Sequence, residues 1–399
     1  MARTCTYTWG PDGGKAEWSF DGEALLLLPE EVSPLAFALR ECSALSGDGH
    51  AVALAFSGQV LSLQRLGQDG PPLLDQLRRL WPPARAGALR LTGSGEPRRF
   101  RGALLGDPAR PCEALLYEDL LVMAPEAGDL QPIFLSLLQR IAFDEAVYAV
   151  RLTTWEGQAV TLGKMAGETE AFLEAVKAAR TALAKEAAEI SAAHLPTVSA
   201  GARAALSAVW LPGRMMAKAD LERACPGFDA TFQASWLASA LRKREGRALL
   251  DWAGAEGTWL GFGRPGLGLG GAATEEAAAG AEPETPEEPQ GPPPEAPDCL
   301  CWLLCGKGGH WLLETLTEQG HATYKFQGNG EMPGLVSRLL CAPQFSREAL
   351  YKPLDALTGE RADLAIAARE LEFLRELRSR FRGRALHSGL ERWTREAGI

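Results

Sequence analysis

The chain has 399 residues, of which 46% are hydrophobic and 23% charged, with 11 tryptophans. Because this length exceeds one ordinary hydrophobic core, two or three domains are expected. The formal net charge of −10 excludes a chain that coats nucleic acid along its whole length, since phosphate binding needs local positive charge. This argument does not exclude phosphate binding by local clusters of basic residues.

The chain starts with "MARTCTYTWGPDGGK", which has no apolar segment typical of a signal peptide. No run approaches the roughly 18 to 20 apolar residues that a transmembrane helix needs. Eight spread cysteines then predict reduced thiols in the cytoplasm. The richness in Ala, Gly, Arg and Pro is typical of a GC-rich, bacterial genome.

Two segments, 24–81 and 114–180, repeat the same pattern. Each opens with an aliphatic strand that ends near a proline. Each continues with a further strand, "LAFALRECSAL" or "IFLSLLQRIAF", whose middle also fits a helix. A hairpin follows, turning at Ser57-Gly58 in the first segment and at Glu156-Gly157 in the second. Period-two alternation of apolar residues predicts half-buried strands here.

An amphipathic helix ends each repeat. In the first it opens at two prolines, and its apolar stripe is Leu73, Leu74, Leu77 and Leu80. In the second the stripe is Phe172, Leu173, Val176 and Ala179. Antiparallel strands followed by a closing helix resemble the pleckstrin-homology-like (PH-like) fold over residues 15–185. The resemblance implies two tandem β-barrel or sheet modules, 1–90 and 97–190, with partner-binding grooves beside the closing helices. The K-x-n-R pattern of lipid-binding members is not evident, so no lipid-binding residue is transferred.

A third, mixed α+β domain is predicted after residue 196, which makes the whole chain α+β. Residues 196–264 predict helices and a pair of strands within 247–263. Residues 265–298 contain eight carboxylates, no Lys or Arg, and clustered prolines, a composition that predicts a disordered acidic loop. Residues 299–399 predict three further strands, which complete a five-stranded sheet, and then helices, the last from Arg361 to Arg395.

The stretch "DCLCWLLCGKGGHW" brings three cysteines and a histidine close together in sequence. A zinc site prefers C-x₂₋₄-C on a tight knuckle with a second ligand pair elsewhere. Here Cys299, Cys301 and Cys305 follow a strand spacing, and His310 alone adds a fourth ligand. We therefore predict a buried strand and a glycine hairpin, and assign no metal or other cofactor.

Other chemical motifs are weak. "GFGRPG" (261–266) matches a dinucleotide-binding fingerprint in letters but leads into the acidic stretch and not into a helix. The five histidines are scattered, and no nucleophile–base pair or P-loop is evident. These absences favour a non-enzyme.

Two arginine clusters are the candidate sites for an anion or a partner. The first joins the repeats and the second lies on the expected last helix, where an ordinary solvated surface is the competing interpretation. The candidate residues are Arg78, Arg79, Arg98, Arg99, Arg101, Arg375, Arg378, Arg380, Arg382 and Arg384.

Three functions follow as expectations. The first is an adaptor or scaffold that binds a protein partner through the PH-like modules. The second is peripheral binding of anionic membrane or nucleic acid through the arginine clusters, with 265–298 as a competitor that contacts the Arg-rich helix intramolecularly. The third is an enzyme whose active site is assembled from distant residues.

Overall fold

The computed structural model describes residues 3–93, 95–106, 108–126, 128–263, 299–317, 322–342 and 346–399, apart from the side chain of residue 360. The chain divides into two compact units. The first is Met1–Lys177 with Gly359–Ala367, and the second is Ala178–Thr358 with Ala368–Ile399. No helix in these ranges combines the length and apolar character needed to cross a membrane.

The first unit begins with a seven-stranded antiparallel sheet. Its strands are β1 (Thr4–Trp9), β2 (Asp12–Phe20), β3 (Ala24–Pro29), β4 (Leu35–Ala38), β5 (Ala44–Gly47), β6 (Ala51–Phe56) and β7 (Gln59–Gln64). Their order across the sheet is β4-β3-β2-β1-β7-β6-β5. Helix α1 (Gly70–Ala88) follows and contacts β5 and β6.

A second sheet repeats this order. Its strands are β8 (Arg98–Leu104), β9 (Arg110–Leu116), β10 (Leu120–Pro125), β11 (Gln131–Phe134), β12 (Leu138–Asp144), β13 (Ala149–Thr154) and β14 (Ala159–Gly163). The order is β11-β10-β9-β8-β14-β13-β12, the same permutation as in the first sheet. Helix α2 (Thr169–His194) follows. The ring of its Phe172 packs edge-on against the ring of Phe100 on β8, with the ring centroids 5.2 Å apart. The predicted pair of antiparallel sheet modules is confirmed.

Local sequence explains the hairpins. In β6 the buried residues alternate as Val52, Leu54 and Phe56, so one face enters the core. The following turn has positive φ at Ser57 (42°) and Gly58 (89°), a conformation that suits tight hairpins between twisted strands.

Each predicted strand in the middle of a repeat is in fact two strands. A single 3₁₀ turn, Leu39–Glu41, separates β4 from β5, and Leu135–Leu137 does the same between β11 and β12. The two halves lie at opposite edges of their sheet. A one-turn helix in the middle of an apolar run explains why the sequence also fitted a helix.

The second unit contains a six-stranded sheet with helices. Its elements are α3 (Ala200–Val209), β15 (Met216–Ala217), α4 (Lys218–Ala224), α5 (Phe228–Phe232), α6 (Lys243–Ala253), β16 (Thr258–Gly263), β17 (Leu300–Lys307), β18 (His310–Thr315), β19 (Ala322–Gln327), α7 (Met332–Cys341), α8 (Glu348–Tyr351), α10 (Glu372–Arg380), β20 (Phe381–Leu386) and α11 (Leu390–Ala397). Helix α9 (Ala362–Glu370) begins in the first unit and ends in the second. The strands lie in the order β15-β16-β17-β18-β19-β20. The overall class is mixed α+β, as predicted.

Two predictions for this unit are wrong. The segment before the turn at Gly254 is helix α6 and not a strand, because its short apolar run places Leu249 in the core at helical spacing. The expected helix from Arg361 to Arg395 is broken by β20, which pairs with β19. Gly383 (φ 126°) and Gly389 (φ 106°) adopt backbone conformations that a helix does not allow.

The sheet therefore has six strands and not five, because β15 and β20 join it while α6 does not. The predicted acidic loop 265–298 lies outside the described residues, although β16 and β17 on either side of it are hydrogen-bonded neighbours.

Candidate functional site

A cavity of about 650 Å³ lies in the first unit, between α1 of the first module and the β8–β10 strands of the second. Three of the predicted arginines, Arg78, Arg79 and Arg101, line it. Its lining is Leu45, Asp75, Gln76, Arg78, Arg79, Trp81, Pro82, Arg101, Gly102, Pro111, Cys112, Glu113, Ala124, Pro125 and Glu126.

Helix α1 forms one wall because its two faces differ. Its apolar face, which includes Leu73, Leu77 and Trp81, is buried. The Trp81 indole Nε1–H donates a 2.8 Å hydrogen bond to the carbonyl oxygen of Cys42, which fixes the rotation of the helix. Asp75 and Arg79, one helical turn apart, are exposed on the side that faces the cavity.

Strand register forms the opposite wall. Arg101 of β8 pairs with Glu113 of β9, which pairs in turn with Ala124 of β10. Gly102 lies beside Cys112 in the next position along the ladder. Both rows line the cavity, and the first carries one cation and one carboxylate while the second is apolar.

Two arginines connect the walls. Arg78 of α1 lies 3.6 Å from the Glu126 carboxylate and donates a 3.2 Å hydrogen bond to the Gly47 carbonyl oxygen. Arg99 of β8 lies 3.6 Å from Glu113 and donates a 3.2 Å hydrogen bond to the main-chain carbonyl oxygen of Arg79. These two side chains, which we call the bracing arginines, thus have internal partners.

The side chains of the two remaining arginines, Arg79 and Arg101, have no such partners among the described residues. Within the described ranges, neither Arg79 nor Arg101 forms an ion pair within 4.0 Å, and both are exposed. Arg98, on the same strand as Arg101, lies outside the cavity with its guanidinium 5.3 Å from the Phe100 ring centroid. The first predicted cluster therefore separates into the two bracing arginines, the two cavity arginines without an ion pair, and Arg98. Of the bracing pair, Arg78 lines the cavity and Arg99 lies outside the lining.

Burial changes the titration of two groups in the β9 wall. Desolvation raises the pKa of Glu113, and the charges of Arg99 and Arg101 offset part of that rise. Desolvation also raises the pKa of the Cys112 thiol to about 12, so this thiol is a poor nucleophile at neutral pH.

The carboxylates of the cavity are the residues that sequence reasoning missed. Within 78–101 the only acid is Glu96, so the cluster looked uniformly basic. Glu113 lies on β9 and Glu126 directly follows β10, and both meet the arginines only through the fold. Because the strand pairing that unites them was not predicted, no local signal pointed to them.

The second predicted cluster is largely occupied by internal contacts. Arg378 donates hydrogen bonds to the carbonyl oxygens of Ala349 and Lys352, and Arg380 pairs with Glu331 and Glu376 at 3.0 and 2.9 Å.

Three arginines of that cluster remain. Arg384 lies 4.0 Å above the Tyr351 ring, Arg382 donates to nearby main-chain oxygens, and Arg375 is exposed. Most of this cluster therefore organises its own domain, and its anion binding stays a prediction.

The cysteine-rich stretch forms β17 and the start of β18, with all three thiols buried. Burial raises the pKa of Cys299 and Cys305 to about 12. Within the described part of the chain, no group of three or more His, Cys, Asp or Glu side chains is placed to hold a metal ion. The second half of "GFGRPG" lies outside the described residues.

A buried polar network holds the C-terminal elements. The Glu314 carboxylate accepts hydrogen bonds from the Thr323 hydroxyl and the Thr315 N–H, and His387 Nε2 lies 3.0 Å from it. The Trp393 indole donates a 2.7 Å bond to Thr323. Thr323 and His387 both approach the same Glu314 carboxylate oxygen, and all of these side chains are buried. The network therefore holds α11 against the sheet through Trp393, and it offers no access for a substrate.

No protein-family model matches the chain, and no curated protein matches it. Among solved structures, one similar chain is the C-terminal domain of an unknown protein from Leishmania infantum, with 12% identity. The alignment covers 24% of this chain and 94% of that domain, with a TM-score of 0.22. Similarity this weak identifies neither a family nor a function.

Proposed function

We propose that this chain is a non-enzymatic adaptor that binds a segment of a protein partner in the cavity between two PH-like modules. The observation that carries the proposal is the cavity itself. Its walls come from two modules with the same strand order, and the bracing arginines hold those walls together while leaving it open. The PH-like resemblance supports it, because members of that superfamily mostly bind peptides, proteins or lipid headgroups.

The chemistry of the lining favours binding over catalysis. Among the described residues, the cavity wall contains no His, Lys, Ser or Thr, and its one thiol, that of Cys112, has a pKa of about 12. The feature that favours the enzyme alternative is Glu113, whose raised pKa is a property of many general acids. Glu113, however, lies beside Arg99, whose side chain connects the two walls.

Site-specific photocrosslinking tests the adaptor proposal. A photoreactive amino acid replaces Gln76, which lines the cavity, or Gln158, an exposed glutamine outside the lining, in the full chain. We expect discrete crosslinked proteins in native lysate from position 76 and none of them from position 158. Identical patterns from both positions would remove the cavity as the binding site.

The alternative of binding to anionic membrane or nucleic acid is favoured by one observation, namely that Arg79, Arg98 and Arg101 lack ion pairs among the described residues. In that case binding to anionic vesicles or nucleic acid falls as salt rises, and deletion of 265–298 strengthens it. Unchanged affinity after the deletion would remove the acidic segment as a competitor. The cytoplasmic setting inferred from the reduced thiols is part of both proposals.

A further inference from the structure

The charges of the cavity lining and its two bracing arginines, taken together, are not balanced. The two bracing arginines are matched by Glu126 and Glu113 at 3.6 Å each. The lining itself has three arginines and three carboxylates, because Arg99 lies outside it. With Arg99 counted as the partner of Glu113, the charged groups left over are Arg79, Arg101 and Asp75, which leaves one surplus positive charge. An unpaired guanidinium on each wall and a net charge of +1 define what the cavity accepts.

We infer that the cavity binds its partner through one carboxylate, a Glu or Asp side chain of an extended protein segment, which Arg79 and Arg101 hold from opposite walls. This inference rests on the proposed adaptor function and specifies the chemistry of the partner at the same site. Guanidinium groups match a carboxylate with two parallel N–H···O bonds, and such charge-assisted bonds are stronger than neutral ones.

The residual charge discriminates between anions. A carboxylate carries one negative charge and cancels the surplus of one. A phosphorylated side chain carries about −1.5 to −2 at neutral pH and leaves the cavity net negative beside Asp75. The structure therefore favours an unmodified acidic side chain over a phosphorylated one.

The positions of the two arginines are fixed before any partner arrives. The main chain of Arg79 is held by the hydrogen bond from Arg99, and Arg101 is held in register on β8 opposite Glu113. Because only the two side chains, and not the main chain, have to become ordered when a partner binds, the entropic cost of binding is lower. The rest of the lining is largely apolar and includes Leu45, Pro82, Pro111, Ala124 and Pro125. We therefore expect apolar residues next to the acidic one.

The size of the cavity suits a short segment. Its volume of about 650 Å³ lies within the range of about 300–1,000 Å³ that is typical of ligand pockets. A few residues fill such a space, whereas a folded surface does not enter it. Specificity then comes from one charged contact and its apolar neighbours.

The test uses the full chain and three pools of degenerate heptapeptides, acetylated and amidated at their ends. The central residue is fixed as Glu, Gln or phosphoserine, and retention on immobilised protein is measured at one salt concentration. We expect the Glu pool to be retained about tenfold more than the Gln pool, and more than the phosphoserine pool.

Two variants locate the effect. Arg79→Gln leaves the main-chain carbonyl that Arg99 uses, and Arg101→Gln leaves the strand intact, so both are expected to fold. Each should lower the retention of the Glu pool about tenfold while leaving the Gln pool unchanged. Arg98→Gln, on the same strand but outside the cavity, is the matched control and should retain the Glu pool fully.

The outcomes separate the two proposals. Equal retention of Glu and Gln pools, or a preference for phosphoserine, overturns the carboxylate inference. If no pool binds while a photoreactive residue at position 76 still captures discrete proteins, the adaptor proposal stands and the carboxylate inference falls. If neither experiment shows binding, both fall.

Discussion

Arg99 on the first strand of the second module donates a 3.2 Å hydrogen bond to the main-chain oxygen of Arg79 on the helix of the first. The acceptor is main chain, so the connection does not depend on the side chain of residue 79. Arg99 also lies 3.6 Å from Glu113 of its own module. One side chain thereby links helix α1 of one module to the sheet of the next.

Loss of this link should cost little free energy, because the Arg99 side chain is 36% exposed. For Arg99→Ala we expect a loss of at most about 1 kcal/mol, the range of exposed ion pairs. The measurement is the thermal midpoint of the full chain, with Arg98→Ala as control. A loss as small in Arg99→Ala as in the control would mean that the hydrogen bond to Arg79 contributes nothing measurable.

Two glycines of α1 should respond oppositely to alanine. A Cβ on Gly70 would lie 1.9 Å from the Gly49 carbonyl oxygen, so Gly70→Ala forces main chain apart and destabilises the first module. Nothing lies within 4 Å of a Cβ on Gly87, so Gly87→Ala should stabilise the helix by up to about 1 kcal/mol. Thermal unfolding of both variants checks the pair, and a stabilising Gly70→Ala would contradict the packing of α1 against that loop.

The Glu113 carboxyl should make stability depend on pH. Burial raises its pKa in the folded state above the ordinary value of 4.5, so the folded chain holds the proton more tightly than the unfolded chain. Its contribution is therefore most favourable below pH 4.5 and is lost as pH rises through the raised pKa. The thermal midpoint of Glu113→Gln relative to the natural chain should rise between about pH 4.5 and pH 7.

Glu113→Gln also removes the ion-pair partner of Arg99, which should shift the difference in thermal midpoint by a constant amount. The informative quantity is therefore how that difference changes with pH. A relative midpoint that falls with pH would show that Arg99 and Arg101 outweigh desolvation at Glu113.

The network around Glu314 should be sensitive to truncation. Glu314→Ala removes the buried carboxylate that the Thr323 hydroxyl and the His387 ring both contact, and we expect a loss of about 3–5 kcal/mol. Glu391→Ala, at an exposed position of α11, is the control and should change stability by only a few tenths of a kcal/mol. Hydrogen exchange of α11 identifies the affected element, and unchanged exchange in Glu314→Ala would refute the anchoring role.

None of the eight cysteines forms a disulfide, and all are buried. Burial raises the pKa of the Cys5 and Cys42 thiols to about 11 and that of Cys112, Cys299 and Cys305 to about 12. Since the thiolate is the reactive species, the folded chain should react slowly with a disulfide reagent at pH 8. All eight thiols should react promptly in denaturant. Rapid reaction of the native chain would show that these sites open readily.

The sequence by itself determined the local structure of the modules. Alternation in β6 and the turn at Ser57-Gly58 specify a hairpin without help from the rest of the chain. The stripe of α1 likewise specifies a helix, and the repeat of these patterns predicted a second module. Local patterns failed where a short apolar run fits two structures, as in α6, or where a strand joins a distant partner, as in β20.

Only the tertiary structure decided the candidate site. The sequence placed Arg78, Arg79, Arg99 and Arg101 in one basic stretch, but it could not distinguish those that bridge the modules from those that remain unpaired. That distinction depends on Glu113 and Glu126, which reach the arginines through strand pairing and packing between segments far apart in the chain. Charge pairing acts over a few ångströms in space, and sequence distance carries no information about it.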